Sequence, residues 1–389
     1  MVAASPSYPR LLARPSQSFF LFGMRGVGKS TWAREVLPDA VRIDLLDEGL
    51  FQSYLRDAGL FGRELARVPP GRWVVVDEVQ RLPNLLNDVH RFIEERRLRF
   101  ALLGSSARKL KHAGTNLLAG RALSRVMLPL LPRELGADFD LDTVLTSGSV
   151  AVILQSEAPE ESLRAYVQMY LKQEIQAEAL ARNLPGFARF LPIAALFHVL
   201  LLNIACLARD TGVARTTVAS YLDILADTQL AWLLPAFEAG LRVRERQHPK
   251  LYWVDPGVVR AARGEFHPPA AVERGPLFEG WVATMLKAYG DPTTGLGNRY
   301  DSLAYWAPSA NSVEVDFILQ RRRRLTAIEV KAKTTLSARD FSGLKAIGAL
   351  DRVSRRILVF LGDRPFRAED GVDALPVPAF VSELEAGKI

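Results

Sequence analysis

Apolar residues along this chain fall into two rhythms. Unbroken apolar runs, Phe19-Phe20-Leu21-Phe22 after Ser18, Trp73-Val74-Val75-Val76 and Phe100-Ala101-Leu102-Leu103, read as strands buried on both faces. Ala40 to Leu46 and Arg125 to Leu130 add two more strands. Between them, Thr31 to Leu37 reads as a helix ended by Pro38, and Leu85, Leu86, Val89 and Ile93 recur at helical spacing. Pro69-Pro70-Gly71 marks the entry to the Trp73 strand. Strands alternating with helices predict an α/β unit over residues 1–133, with a parallel sheet covered on both faces.

The helical rhythm then takes over. Residues 134–185 carry Leu163, Tyr166, Val167, Tyr170, Leu171, Ile175 and Leu180 at helix-like spacing, a packing stripe that suits a helical lid. Residues 186–265 hold a helix–turn–helix pattern: Ile204 to Asp210, a turn at Thr211-Gly212-Val213, then Ala214 to Leu225. Val218, Tyr221, Leu222 and Leu225 would face the core, leaving Arg215, Thr216 and Ser220 to meet DNA or protein. Leu230 to Leu234 and Lys250 to Val254 would pair as a wing, with Arg242, Arg244, Arg246, His248 and Lys250 as basic residues, which makes the unit winged-helix-like. Residues 266–389 return to strands at Leu303 to Trp306, Val313 to Leu319, Leu325 to Ala332 and Arg356 to Leu361, with helices around Phe278 and Phe341: a second α/β domain. The run Arg321-Arg322-Arg323-Arg324 falls at a hairpin, either a solvated turn or a grip on phosphate.

Composition narrows the class. A chain of 389 residues, 49% hydrophobic and 24% charged, suits two or three soluble domains with real cores. The net charge of +7 favours an acidic partner such as nucleic acid, DNA above all. The stretch Phe190 to Ala208 approaches a membrane-span length, but Pro192, His198 and Asn203 interrupt it. Asn203 reads as a break between two buried helices, and no membrane partner is expected. Cys206 is the single cysteine, which excludes an intramolecular disulfide, and its apolar setting suits a core residue. With five histidines besides, no zinc cluster is credible. The N-terminal segment has no apolar core like that of a signal peptide, so a cytoplasmic protein is expected.

The strongest chemical signal is Gly23-Met24-Arg25-Gly26-Val27-Gly28-Lys29-Ser30-Thr31: a glycine, four residues, then Gly-Lys-Ser. Between a strand and a helix, it aims backbone N–H groups at an anion. Gly23, Gly26 and Gly28 let the main chain close on phosphates. Lys29 would reach the β- and γ-phosphates, and Ser30, followed by Thr31, would meet Mg²⁺. The tip of the Trp73 strand supplies two carboxylates, Asp77 to hold Mg²⁺ and Glu78 to orient the attacking water. These residues predict binding and hydrolysis of ATP with Mg²⁺. Two further positions keep two readings each. Gly104-Ser105-Ser106 is a plain strand-to-helix turn or a hydroxyl near the γ-phosphate. Arg121, after Leu118-Ala119-Gly120, is a surface arginine at a helix C-terminus or one aimed at a neighbouring subunit's γ-phosphate.

A second cluster follows from Asp316, Glu329 and Lys331. Asp316 is an odd residue for mid-strand. Glu329 and Lys331, two apart on the next strand, point to one face. If the strands pair, two carboxylates converge and can hold a divalent cation, with Lys331 positioning a water and Glu279 adding a ligand. Outward-facing polar residues, with Glu329 paired to Lys331 or Lys333, explain the same spacing.

With these residues in view, the chain resembles the prokaryotic AAA-type ATPases that carry an appended C-terminal domain of unknown function. The resemblance rests on Gly23 to Thr31, Val76-Asp77-Glu78-Val79-Gln80, Gly104-Ser105-Ser106, Leu118-Ala119-Gly120-Arg121, Val315-Asp316-Phe317 and Ile328-Glu329-Val330-Lys331, and spans nearly the whole chain. It implies an AAA-type core, Walker B roles for Asp77 and Glu78, a sensor hydroxyl at Ser105 or Ser106, and an arginine finger at Arg121, hence a homo-oligomer such as a ring. It also implies a C-terminal domain similar to the PD-(D/E)xK restriction-endonuclease-like fold. Asp316, Glu329 and Lys331 match that pattern and Glu279 its helical glutamate, so a second Mg²⁺ or Mn²⁺ is expected there. The chain departs from the family in its hydroxyl pair, Ser30-Thr31, and in a weak glycine segment before the lid, Ser147-Gly148-Ser149. Two functions follow. One is an ATPase acting on nucleic acid with metal-dependent nuclease activity. The other is an ATP-driven switch or scaffold whose C-terminal domain binds protein or DNA without cutting.

Overall fold

Strands with no polar face must lie inside a sheet covered on both sides. The computed structural model describes residues 8–389 apart from 107, 109, 111–117, 119, 171–183, 238–247, 298–299 and 309–312. In it β1 (Phe19–Phe22), β2 (Val41–Asp44), β3 (Trp73–Asp77), β4 (Arg99–Gly104) and β5 (Leu123–Val126) form one parallel sheet in the order β2-β3-β4-β1-β5. Successive side chains point to opposite faces. Phe19, Leu21, Val75 and Leu103 join Trp32 from the helix Lys29–Val36. Phe20, Phe22, Val76 and Leu102 join Phe61, Leu86, Val89 and Phe92 from the helices Leu60–Ala66 and Leu85–Arg96. Because β4 lies between β1 and β3, the tips of all three open side by side on one sheet edge. The strand expected over Arg125 to Leu130 ends at Val126: Pro129 has no N–H to donate, and Leu130 N–H turns away to Ser149 O at 2.8 Å.

Short helices Leu141–Ser147, Ala151–Leu154 and Pro159–Ala165 follow the core. Of the expected stripe, Leu163 and Tyr166 are buried and Val167 is half-buried, while the Tyr170 side chain and Leu171, Ile175 and Leu180 lie outside the described residues. The helix Leu184–Leu196 contains Pro192, and Asn203 caps the next helix, Ile204–Thr211, by accepting from Ala205 N–H (3.0 Å) and Cys206 N–H (3.1 Å). No described helix is long and apolar enough to cross a membrane. Cys206 is half-buried rather than a core residue: the buried stripe of its helix is Leu207, Ala208 and Thr211, and its thiol faces Asp210 at 3.4 Å. In the helix Arg215–Asp227, Val218, Tyr221, Leu222 and Leu225 are buried, Arg215 and Thr216 are exposed, and Ser220 is half-buried. β6 (Ala231–Leu234) and β7 (Lys250–Trp253) pair antiparallel behind it. Arg242, Arg244 and Arg246 lie outside the described residues, and His248 is exposed. Lys250, expected on the wing surface, is instead only 4% exposed.

The C-terminal domain is a separate mixed sheet. β8 (Ser302–Trp306), β9 (Val315–Arg321) and β10 (Arg324–Lys331) run antiparallel; β11 (Val353–Phe360) and β13 (Asp373–Pro376) run parallel to β10, and β12 (Phe366–Arg367) closes the edge. Phe278, Trp281 and Val282 of the helix Ala271–Gly290 cover one face, with Phe317, Ile328 and Ile357. Leu344 and Ile347 of the helix Ser342–Ile347 cover the other, with Ile318, Ala327 and Leu358.

The middle of the chain is locked where two backbones touch. Asp255 is buried and accepts from Ser149 N–H (2.7 Å) and Val258 N–H (3.0 Å). Gly148, at φ 78, leaves no room for a side chain: a Cβ would stand 1.9 Å from Asp255 Oδ1. A Cβ on Gly257 would stand 2.1 Å from Ser147 O. Gly148→Ala is therefore expected to cost about 2 kcal/mol or more in urea unfolding. Gly257→Ala, with no positive φ, isolates the steric part and should also destabilise; an unchanged midpoint in both variants would remove this junction.

Candidate functional site

The β1 tip builds the first site. Gly28, at φ 95, turns the chain into the helix Lys29–Val36, a conformation that side chains strain to adopt. Lys29 is buried, and its ammonium donates to Gly23 O (2.7 Å) and Met24 O (3.2 Å). A phosphate would offer that ammonium a charged acceptor in place of neutral carbonyls. The loop lines a cleft of about 290 Å³, flanked by Tyr8, Arg10, Glu78, Val152 and Gln155. A cleft near this size is within reach of a small-molecule ligand.

The β3 tip supplies the acids. The Ser30 hydroxyl donates to Asp77 Oδ2 at 2.5 Å, so the two predicted magnesium ligands already touch. A hydroxyl and a carboxylate are hard oxygen donors, and this pair fits Mg²⁺. Glu78 follows in a left-handed conformation, φ 54, with its N–H donating to Asp77 Oδ1 at 3.0 Å. Such backbone strain persists only where the surroundings impose it. Gln80 holds the side chain at this position. Its buried amide donates to the Glu78 carboxylate and to Ser105 Oγ (2.9 Å) at the tip of β4. The sequence reading quoted Gln80 only as part of a motif; the signal was an amide two residues past the acid.

Two arginines sit outside this cleft. Arg121 is exposed and ion-paired with Glu94. The register Phe19↔Leu123 puts it at the sheet edge opposite the loop, away from its own chain's cleft. Arg108, which the sequence reading did not single out, donates its backbone N–H to Ser106 Oγ (3.1 Å), and its guanidinium pairs with Asp227 (3.2 Å). That pair ties the β4 exit to the end of the helix Arg215–Asp227.

In the second cluster, β9 and β10 pair through Ile328↔Phe317, and one step further brings Glu329 opposite Asp316. Asp316 Oδ2 accepts from Val330 N–H at 2.8 Å, and Lys331 donates to Glu329 Oε1 at 2.5 Å. The expected residues thus come together, with an unexpected member at the centre. The Lys250 ammonium, from β7, lies 3.3 Å from Glu279 and 4.0 Å from Asp316 and is hydrogen-bonded to Glu314. Tyr252 donates to Glu279 at 2.6 Å. Burial alone would lower the Lys250 pKa, but Glu279, Asp316 and Glu314 raise it above the ordinary lysine value. Burial, then the Asp316 charge, raise Glu279 to about 7 and Glu329 to about 8. Among the described residues no three His, Cys, Asp or Glu side chains gather as a metal would need. An ammonium stands where the sequence predicts a divalent cation, so the donor set here does not fit a second metal.

Comparison with known proteins divides the chain into three matched stretches. Residues 15–136 match the model of an AAA domain, residues 139–268 that of a domain of unknown function (DUF8612), and residues 274–380 that of another (DUF4143). Uncharacterized proteins of Mycobacterium bovis and Mycobacterium tuberculosis are each 28% identical over 313 residues, 78% of this chain and 68% of theirs. Among solved structures, protein VC1899 from Vibrio cholerae aligns over 95% of this chain and 96% of its own at 16% identity and TM-score 0.22. A Signal Transduction ATPase with Numerous Domains (STAND) protein with a tetratricopeptide repeat sensor, from Pyrococcus horikoshii, aligns over 71% and 44% at 14% identity and TM-score 0.26. Both superpositions are too loose to bear on function. The AAA match, on a loop whose Ser30 meets Asp77 at one sheet edge, makes the N-terminal unit a P-loop AAA-type domain.

Proposed function

We propose that the chain is a Mg²⁺-dependent ATPase that works as a switch on nucleic acid, with a C-terminal domain that binds without cutting. The contact of Ser30 with Asp77, beside the buried Lys29, carries the ATPase reading. In this reading Lys29 leaves the Gly23 and Met24 carbonyls for the β- and γ-phosphates. Ser30 and Asp77 hold Mg²⁺, which when bound neutralises phosphate charge. Glu78, steered by Gln80, orients the attacking water, and Ser105 senses the γ-phosphate through the same amide. Loss of the γ-phosphate then reaches the helix Arg215–Asp227 through Ser106, Arg108 and Asp227. Arg121, remote from its own cleft, serves a neighbour's, so the active form is a homo-oligomer. The net charge of +7 and the exposed Arg215 and Thr216 support nucleic acid as the partner.

The non-cutting reading rests on Lys250. A nuclease would need Glu279, Asp316 and Glu329 for a metal, and two of these three carboxylates lie within 4.0 Å of its ammonium. The convergence of Asp316, Glu329 and Lys331 is the observation that favours cleavage instead.

Lys29→Ala is expected to abolish binding of a fluorescent ATP analogue. Glu78→Gln should keep that binding and lose about 100-fold or more in phosphate release. Equal turnover in wild type and Glu78→Gln would overturn the assigned role. Incubation of single- and double-stranded DNA and RNA with Mg²⁺ or Mn²⁺ should give no products; cleavage that disappears in Lys331→Ala would install the nuclease reading. The cluster also predicts a pH dependence. The folded-state pKa values of Glu279 and Glu329 are raised, so their contribution is full below about 4.5 and fades as pH rises through 7 to 8. Unfolding free energy should fall from pH 6 to 9 by more than about 1 kcal/mol. Glu329→Gln, which mimics the neutral acid, should flatten that fall.

A further inference from the structure

The arginine run at the β9–β10 turn has a wall opposite it. Arg321, Arg322, Arg323 and Arg324, all exposed, line one side of a cleft of about 730 Å³. Leu286, Tyr289 and Gly290, at the end of the helix Ala271–Gly290, line the other with Tyr300, and Lys388 adds a fifth cation. The Tyr300 ring owes its place to Gly290: a Cβ there would stand 1.9 Å from Tyr300 Cε1. The nearby acids make other contacts, two of them at the rim of the cleft itself. Asp373 and Glu383 pair with Arg355, Glu385 accepts from the Tyr289 hydroxyl (3.1 Å), and Asp301 accepts from the Arg322 backbone N–H. None of the four arginines forms a side-chain ion pair among the described residues, so the turn presents four guanidinium groups beside an aromatic and apolar wall.

From this juxtaposition we infer that the cleft binds a nucleoside phosphate, held by the arginines at its phosphate and by Tyr300 and the apolar wall at its base. Planar guanidinium groups bind phosphate through paired donors, and a tyrosine face takes any base. The volume lies in the range of ligand pockets. The source is the end of a single strand or a free nucleotide. The site is separate from both clusters already described. It belongs to the C-terminal domain, not the P-loop unit, and the turn lies five residues along β9 from Asp316, roughly 16 Å at the rise of a strand. It does not depend on the proposed ATPase cycle, and the test removes that site.

The full chain carrying Lys29→Ala should bind a 5′-phosphorylated, fluorescein-labelled single-stranded oligonucleotide in anisotropy titrations. Adding Arg323→Ala and Arg324→Ala should weaken binding at least tenfold. The slope of log affinity against log salt should drop by about 1.4, for two single-strand phosphate contacts. Both arginines are exposed and unpaired, so an unchanged thermal midpoint will show that the fold is intact. Competition by AMP or GMP, with inorganic phosphate weaker, assigns a free nucleotide; resistance to them assigns the strand end. Absence of binding in the Lys29→Ala protein, or an unchanged affinity and salt slope in the arginine variant, overturns the site. A loss confined to Arg215→Ala, at the exposed start of the helix Arg215–Asp227, also overturns it, because the ligand would then sit there.

Discussion

A lysine out of water among carboxylates is the constraint on which the second half of this molecule depends. A buried ammonium is costly unless surrounded by opposite charge. Lys250 meets that demand by reaching from the β6–β7 hairpin to Glu279 on the long helix and to Glu314 and Asp316 at the start of β9. The hairpin behind the helix Arg215–Asp227 is thereby fastened to the C-terminal sheet. The carboxylates need the lysine as much as it needs them, since Asp316 and Glu329 face each other across one ladder and the Glu329 Oε2 atom is buried with no hydrogen-bond partner. Removing the cation would leave several like charges in a dry place.

The N-terminal half is organised by strand order rather than by one ion. Insertion of β4 between β1 and β3 sets a hydroxyl-bearing turn between the phosphate loop and the acidic tip. That gap is bridged by one amide, Gln80, and the far side of the turn is held by the Arg108–Asp227 pair. Glu78 keeps a strained backbone there, as residues at working sites often do.

What could be read from the chain depended on sequence distance. The P-loop is contiguous, so its glycines, Lys29 and Ser30 were legible together. The run ending in Asp77-Glu78 announced itself as a buried parallel strand with acids at its tip. Hairpin partners on adjacent strands, such as Asp316 and Glu329, were legible once the strands were paired. Lys250 was not, because its partners lie at Glu279, Glu314 and Asp316, far along the chain, and its local company of arginines pointed to solvent. Cys206 was misplaced for a related reason: apolar neighbours in sequence do not say which face of a helix is buried. β5 proved shorter than its apolar run because the run contains Pro129, and β12 was too short to give any periodic signal.

At the Gly148–Gly257 junction the main chains meet with little between them but the Asp255 carboxylate. Interiors packed so closely transmit displacement instead of absorbing it. The helix Ala151–Leu154 borders the phosphate-loop cleft through Ala151 and Val152, and the helix Pro256–Arg263 is followed, after residues 264–270, by the long helix carrying Glu279. A tilt begun at that cleft would be passed toward the acidic nest of the C-terminal domain rather than absorbed beside the loop.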